Sequence, residues 1–423
     1  MKNFSFTYTQ SSLLDPLNIQ KTFSQLQPEI KKVQHELTLC YETEYASINL
    51  AYDAVLLDQM ATIVEEKKQY HPTMLIVIGI GGSILGTMAV VQAMYGALYN
   101  ERCTPHIYFL DTVDSDYNAS LLKQAEHALQ CGNTILINVI SKSGTTTETC
   151  INYELFATLL KKYYPNTYQK YVIITTDPNS PLWHNAQQEN ITVLTVPHKV
   201  GGRFSVFSAV GLFPLMYVGI DCLALQEGAK KAVVAALSNE LNNNCAALNA
   251  ILMYLWYQQQ YVIHNMFFFS VSLEGLGKWY RQLLAESIGK LYNRQGALVR
   301  SGITPIISIG TTDLHSMAQL YFSGQHNTAT TFVSVPPHTQ VYTYNISLSD
   351  LMNATMEGTM KAYQKNNLPY IHYSLPEKSP FYIAEFMQIQ MCEIMYLGFL
   401  LNINPFDQPQ VELYKKETSH ILM

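Results

Sequence analysis

Short hydrophobic runs alternate with longer segments of helical spacing along most of the chain. Four such runs lie in the first half: TMLIVIGI (73–80), HIYFLDT (106–112), TILINVIS (134–141) and YVIITTD (171–177). Four more follow residue 260: MFFFSVS (266–272), PIISIG (305–310), TTFVSV (330–335) and LPYIHYS (368–374). Near-continuous apolar strands separated by helices are typical of parallel sheets that are covered on both faces.

This alternation predicts an α/β protein with two doubly wound parallel sheets. Helices are predicted over 277–293, 313–322 and 379–401. We expect the following division of the chain: a helical N-terminal arm over 1–44, a first α/β domain over 45–200, a linker helix and second α/β domain over 201–400, and a C-terminal segment over 401–423. Ligands of such sheets bind where strands end and helices begin, so the loops after the strands are expected to carry the functional residues.

The composition of the chain argues against some classes of protein, such as nucleic-acid-binding and secreted proteins. Charged residues make up 14% of the 423 residues, and the net charge is −6. The acidic balance, with no basic tract, argues against nucleic-acid binding. Seven scattered cysteines without a CxxC motif, and an N-terminus without the apolar core of a secretory signal, indicate a reduced, cytoplasmic protein.

Two uncharged stretches, 69–100 and 241–273, are long enough to cross a bilayer. The first contains a cluster of glycines, and the second contains three consecutive asparagines and three consecutive glutamines, which are costly in lipid. We therefore interpret both as buried strands and helices and expect no membrane span.

Two strand-to-helix loops have the character of a phosphate site. IGIGGSILGT (78–87) combines glycines with Ser83, but it lacks the third glycine of a dinucleotide fingerprint and the lysine of a Walker A loop. ISKSGTTTET (140–149) crowds hydroxyls around Lys142, and Thr145 with Glu148 has capping-box spacing. Helix N-termini ringed by hydroxyls and a lysine suit a phosphomonoester. The alternatives are a tight packing turn for the first loop and a simple helix cap for the second.

Three further segments carry single charged or titratable residues. Arg203 follows two glycines in KVGGRFSVFSAVG and needs a partner, either an internal carboxylate or an anionic substrate. Glu286 shares a helix face with Lys278 and Gln282, which fits either a general base or a surface pair. His315 follows a possible cap at Thr312 or Asp313, where a helix N-terminus favours the neutral imidazole. We find no metal-ligand spacing and expect no metal.

These five segments, together with NPFDQPQVELYKK (404–416), resemble the phosphoglucose isomerase family, particularly its shorter bacterial form. The resemblance runs from about Ile78 to Lys416. It implies two SIS-type sugar-phosphate-binding domains and a cofactor-free interconversion of glucose 6-phosphate and fructose 6-phosphate by a cytoplasmic homodimer. Gln410 stands where the family signature usually has glycine, a substitution that would be strained at a positive φ. His198 replaces a residue that is usually small or acidic.

By position, the resemblance also implies a role for each candidate residue. Glu286 matches the base that shuttles a proton between C1 and C2, and Arg203 matches the group that stabilises the cis-enediolate. His315 and Lys415 match the pair that assists ring opening, and in the family this histidine comes from the partner subunit. The matched substrate-binding positions are Gly82, Ser83, Ser141, Lys142, Ser143, Thr146, Gly202, Gln282 and Gln408.

Two alternatives stay open on the sequence. One is a bifunctional phosphoglucose/phosphomannose isomerase. The other is a non-catalytic sugar-phosphate sensor built from SIS domains, which would need the two hydroxyl-rich loops but would have no use for Glu286.

Overall fold

The computed structural model of the protein describes residues 4–343 and 345–422, and within them the hydrophobic runs form two five-stranded sheets. The strands in chain order are β1 (Ser5–Thr7), β2 (Pro72–Ile78), β3 (His106–Leu110), β4 (Thr134–Ile140), β5 (Val172–Thr176), β6 (Thr192–Thr195), β7 (Ile263–Phe268), β8 (Lys290–Tyr292), β9 (Leu298–Ser301), β10 (Thr304–Ile309), β11 (Thr328–Ser334), β12 (Tyr342–Thr343), β13 (Ile346–Ser347) and β14 (Tyr370–Ser374).

Helices cover the sheets and fill the space between them. They are α1 (Pro16–Glu36), α2 (Ala54–Lys68), α3 (Leu85–Tyr95), α4 (Ser115–Gln130), α5 (Thr147–Tyr163), α6 (Pro181–Gln188), α7 (Ala209–Tyr217), α8 (Cys222–Ala236), α9 (Cys245–Gln258), α10 (Glu274–Ile288), α11 (Thr312–Ser323), α12 (Leu348–Lys365), α13 (Pro380–Leu400) and α14 (Glu412–Leu422).

The first sheet has the strand order β3-β2-β4-β5-β6, and all its neighbouring strands are parallel. The central strands are buried almost along their whole length, as expected for a sheet with helices on both faces. The sequence pattern missed β6. This four-residue edge strand is only partly buried and has only one neighbour, so its apolar signal is short.

The second sheet has the order β1-β14-β11-β7-β10, with β7, β10, β11 and β14 parallel. The N-terminal arm contains the helix α1 and, before it, the strand β1, which the sequence pattern did not predict and which adds to this sheet as an antiparallel edge strand. Phe6 pairs with Tyr373 across the strands, and the two ring centroids lie 4.7 Å apart. Such aromatic cross-strand pairs stabilise an edge strand that is too short to show a period of its own.

The helix predicted over 277–293 begins earlier and ends at Ile288. Gly289 has an extended conformation, with φ −70° and ψ 94°, which takes the chain out of the helix. Lys290 to Tyr292 then pair with β9 in a hairpin. The residues after Glu286 therefore turn back instead of continuing the helix.

The uncharged stretches belong to the two cores. Residues 69–100 form β2, the glycine loop and α3, and residues 241–273 contain α9 and β7. The helix α13 is buried on nearly every side and packs against α8 and α9, which explains why most of its residues are apolar. In the part of the chain that the structure describes, no helix is both long and apolar enough to span a bilayer.

Candidate active site

The glycine loop after β2 lies directly against the KVGGRF segment that carries Arg203. A methyl group added to Gly82 would overlap the carbonyl carbon of Gly202 and would lie 2.5 Å from the nitrogen of Arg203. Only glycine allows the two backbones to approach this closely. Ser83 ends a 3₁₀ turn here and is half-buried, and α3 begins two residues later, at Leu85.

The hydroxyl-rich loop after β4 ends at the N-terminus of α5. The predicted capping box at Thr145 was wrong, because the N-cap residue is Thr146. The Thr146 hydroxyl lies 3.0 Å from the Ser141 hydroxyl, while Ser143 accepts from the Thr145 amide. The threonine hydroxyl thus pairs within the loop, and the first turn of α5 directs its N–H groups at this hydroxyl cluster.

Lys142 connects this loop to the segment that precedes Arg203. Its Nζ donates to the carbonyl oxygens of His198 at 2.6 Å and Val200 at 3.0 Å. Burial lowers the pKa of Lys142, while the nearby Asp177 opposes that shift. The His198 imidazole points away into solvent and pairs with Asp177, so the departure from the family pattern at residue 198 leaves the main-chain acceptor in place.

Arg203 is almost completely buried and is held from several directions. Its Nε donates to the Ser287 hydroxyl at 2.7 Å, and its Nη2 donates to the Pro405 carbonyl at 2.7 Å. Its Nη1 faces Glu286 Oε2 at 3.5 Å and also donates to Gln408. Burial lowers the pKa of Arg203, and the carboxylates of Glu286 and Asp407 act against this. The internal carboxylate that the sequence left open is therefore Glu286 itself.

Glu286 lies on α10 between Arg203 and Gln282. Its Oε1 accepts from Gln282 Nε2 at 3.1 Å, and its side chain remains 28% exposed. A methyl group on Gly81 would lie 2.7 Å from the same Gln282 nitrogen, which places α10 against the glycine loop. Lys278, two turns before Glu286, pairs with Glu274 at 2.8 Å. On this helix, Lys278 thus belongs to a surface ion pair, whereas Glu286 faces the cleft.

The C-terminal signature lies beside Glu286, next to the arginine that pairs with it. Gln408 precedes a 3₁₀ turn over Pro409–Val411, and Gln410 lies inside that turn without a positive φ. Glutamine at the usual glycine position is therefore unstrained. A cavity of about 760 Å³ is lined by Glu286 and Gln408, and its described lining includes no residue of the loops after β2 and β4.

The structure leaves His315 on the protein surface. His315 is exposed on α11, whose N-cap is Thr311 and not Thr312 or Asp313. Asp313 instead accepts the Ile309 amide at 2.7 Å. Among the described residues, His315 makes no hydrogen bond to Arg203 or Glu286.

Lys415 is exposed on α14. Its hydrogen bond to Glu412, at 2.8 Å, raises its pKa, and Glu148 in the first turn of α5 adds to the effect.

Sequence reasoning missed three residues of this cluster: Ser287, Lys290 and Asp407. Ser287 and Asp407 contact Arg203, and Lys290 contacts both Glu286 and Asp407. The signal that could have found them is their position within about one helical turn of Glu286 or directly beside Gln408.

The arrangement as a whole suits proton abstraction next to a carbonyl group. A carboxylate of this kind can take the proton, and a guanidinium beside it can stabilise the oxyanion that forms. At the other end of the cleft, hydroxyls, main-chain amides and Lys142 present donors to an anion such as a phosphate.

The chain matches known proteins over most of its length. The model of the family described as phosphoglucose isomerase matches residues 68–367. A glucose-6-phosphate isomerase from Carboxydothermus hydrogenoformans is 34% identical over 386 residues, which cover 86% of this chain and 81% of that protein. One from Methanocaldococcus jannaschii is 32% identical over 351 residues, which cover 81% of this chain and 82% of that protein.

Solved structures agree on the fold. A hypothetical protein from Thermus thermophilus superimposes with a TM-score of 0.86 at 29% identity, covering 99% of this chain and 100% of that one. A glucose-6-phosphate isomerase from Chlamydia trachomatis gives a TM-score of 0.85 at 22% identity, covering 99% and 88%. These superpositions and the sheet topology confirm the predicted α/β class.

Proposed function

The chain belongs to the phosphoglucose isomerase family, and we propose that it interconverts glucose 6-phosphate and fructose 6-phosphate with Glu286 as the base. The observation that carries the assignment of the base is the pairing of Glu286 with the buried Arg203. The reaction is the aldose–ketose isomerisation of glycolysis and gluconeogenesis, which are cytoplasmic pathways, and we infer that the chain acts there.

The proposed chemistry moves one proton between neighbouring carbons. In the open-chain aldose, the Glu286 carboxylate removes the proton from C2 while the carbonyl oxygen at C1 gains negative charge. The cis-enediolate then takes this proton back from Glu286 at C1, the proton of the C2 hydroxyl passes to the oxygen at C1, and the carbonyl group of the ketose forms at C2. Only protons move, so no cofactor enters the proposal.

Arg203 is suited to hold the enediolate because two of its three nitrogens are already fixed. Nε and Nη2 are bound to Ser287 and to main-chain carbonyls. Nη1 donates one of its hydrogens to Gln408, and its 3.5 Å approach to Glu286 is long for a charge-assisted bond, so its second hydrogen is only weakly held. This leaves Nη1 able to donate to a developing oxyanion without reorganising the rest of the side chain.

The phosphate is proposed to lie at the opposite end of the cleft. The groups that we expect to hold it are the side chains and main-chain amides of Gly82, Ser83, Ser141, Lys142, Ser143, Thr146 and Gly202. Gln282 and Gln408 would contact the sugar between the two ends. Binding of the remote phosphate fixes C1 and C2 against Glu286, which converts binding energy into orientation.

Ring opening is proposed to involve Lys415 and a His315 from a second copy of the chain. The exposure of His315, away from Glu286 of its own subunit, supports a homodimer in which it reaches the partner's cleft. An imidazole can pass a proton between the ring oxygen and a hydroxyl near neutral pH.

The direct test is turnover by the purified protein. Fructose 6-phosphate is supplied, and the glucose 6-phosphate formed is measured through a coupled dehydrogenase. Absence of turnover would overturn the isomerase assignment and favour the sensor alternative. Product analysis with mannose 6-phosphate separates the glucose-specific enzyme from the bifunctional one.

A further inference from the structure

The end of α10, directly after Glu286, has an unusual hydrogen-bond arrangement. In a continuing helix the Glu286 carbonyl would accept the main-chain N–H of residue 290. Here α10 ends at Ile288, and the Lys290 backbone already belongs to β8. The Lys290 side chain supplies the missing donor instead, with Nζ 2.7 Å from the Glu286 carbonyl oxygen. The lysine thus caps the helix turn that carries the proposed base.

The same ammonium group also reaches the C-terminal signature. Lys290 Nζ donates to the Asp407 carbonyl at 2.5 Å and lies 3.2 Å from the Asp407 carboxylate. The residue is only 7% exposed. Burial and the nearby Arg203 lower the pKa of Lys290, and the carboxylate of Asp407 opposes the shift. A buried cation with three oxygen partners is a rigid link between two chain segments.

Arg203 shares one of these partners. Its Nη2 donates to the Asp407 carbonyl at 3.1 Å, and its Nη1 donates to Gln408, the next residue. Lys290 therefore fixes the turn of Asp407 and Gln408 from one side while Arg203 fixes it from the other. Among the described residues, no hydrogen bond connects Lys290 with the loops proposed to hold the phosphate.

We propose that Lys290 is a positioning residue that aligns Glu286 with Arg203 and Gln408 for the proton transfer between C1 and C2. This inference rests on the proposed function of the same cleft. Its action is through the Glu286 main chain and the Asp407 turn, and it does not involve contact with the substrate. Its removal should lower kcat and leave the apparent KM for fructose 6-phosphate nearly unchanged, because the phosphate end of the cleft stays intact.

The test compares Lys290→Met with Lys278→Met in the full-length protein. Lys278 lies on the same helix, is exposed, and pairs only with Glu274 among the described contacts, so its variant should match the wild type. Displacements of about 1 Å can cost on the order of a hundredfold in rate, so we expect kcat of Lys290→Met to fall at least tenfold. The apparent KM should stay within about threefold of the wild-type value. Lys290→Arg keeps the charge and the donors and should recover most of the lost kcat.

Thermal unfolding of each variant separates folding from alignment. If Lys290→Met does not fold, Lys290→Gln takes its place with the same expected loss of kcat. A folded Met or Gln variant with kcat within about twofold of the wild type, or with an unchanged kcat and a raised KM, would overturn the positioning role. Turnover by the wild-type protein in the same assay tests the isomerase function independently, so the two failures are distinguishable.

Discussion

At the scale of single residues, main-chain carbonyl groups supply several of the partners of the cations in the cleft. Lys142 donates to the carbonyls of His198 and Val200, and Arg203 donates to those of Pro405 and Asp407. Carbonyl dipoles satisfy the hydrogen bonds of a cation without cancelling its full charge. The positive charge that remains is available to an anionic substrate, which lets a chain with few charged residues bind a phosphate.

Removal of the Lys142 ammonium should weaken binding more than chemistry. A charge-assisted bond to phosphate contributes about 1.5–3 kcal/mol, so Lys142→Met should raise the KM for fructose 6-phosphate roughly tenfold to a hundredfold. We expect kcat to fall less than KM rises. Steady-state kinetics checks this, with Lys123→Met on the exposed side of α4 as the control. A normal KM with a reduced kcat would contradict the assignment of Lys142 to the phosphate.

The sequence predicted those site residues that belong to a motif formed by consecutive residues of the chain. Arg203, Glu286 and the hydroxyl loop stand in local patterns that could be read directly. Ser287, Lys290 and Asp407 belong to no such motif, and closeness in sequence to Glu286 or Gln408 was their one local signal. Their contacts with Arg203 and with each other depend on how distant segments pack against α10. The N-cap at Thr146 was missed because its hydroxyl pairs with Ser141 across the loop.

At the scale of elements, buried strands were easier to predict than edge strands. β2, β4 and β5 are covered on both faces, so nearly every position is apolar. β1 and β6 lie at sheet edges and are three and four residues long, so the chain shows no clear period there. What positions them is pairing with a distant strand, which sequence periodicity alone does not reveal.

A buried network of hydrogen bonds connects the helices α9, α10 and α13. Glu393 on α13 accepts from Tyr280 of α10 at 3.1 Å and from Asn249 of α9. Burial raises the pKa of Glu393 to about 8, and burial lowers the pKa of His264, which contacts the Tyr280 hydroxyl, to about 3. Both groups are therefore predominantly neutral in the folded protein at pH 7.

The raised pKa of Glu393 predicts a loss of stability as the pH rises. In the unfolded chain this carboxyl ionises near pH 4.5, whereas the folded protein keeps it protonated to about pH 8. Stability from this group is complete below pH 4.5 and is lost progressively up to about pH 8. The lowered pKa of His264 acts in the opposite sense below about pH 6.5, so the window from pH 6.5 to 8 isolates Glu393.

Glu393→Gln should remove this dependence, because an amide does not ionise. A rotated Asn249 amide can accept from the new Gln nitrogen, since Asn249 Oδ1 has no hydrogen-bond partner within the described part of the chain. Thermal unfolding at pH 6.5 and pH 8 should show the wild type losing more of its midpoint temperature than the variant. Parallel losses in the two proteins would mean that Glu393 is ionised in the folded state at both pH values.

At the scale of the whole molecule, the candidate site lies where loops of the first sheet meet a helix of the second. The glycine and hydroxyl loops follow strands of the first sheet, while α10 follows β7 of the second. The surface near the second sheet carries exposed apolar side chains on α11, α12 and the β12–β13 hairpin: Leu320, Tyr342, Ile346, Leu348 and Leu351. This surface, close in sequence to His315, supports the proposed homodimer.

Mixing two inactive variants tests whether His315 serves the partner's cleft. A hybrid of His315→Leu and Glu286→Gln subunits would contain one cleft with both residues intact and one with neither. Random reassociation makes about half of the dimers hybrid, so about a quarter of the wild-type activity should return. Hybrid dimers that form without any activity would show that His315 does not act across the interface.

The central claim is that Glu286 is the base of an aldose–ketose isomerase, and Glu286→Gln tests it most directly. The amide keeps the shape of the side chain but cannot take a proton, so fructose 6-phosphate should still bind while kcat falls by about two to four orders of magnitude. Calorimetry measures the binding and the coupled assay measures the turnover, with Glu274→Gln on the same helix as the control. Normal binding with almost no turnover is the result we predict, and wild-type turnover by Glu286→Gln would contradict the account.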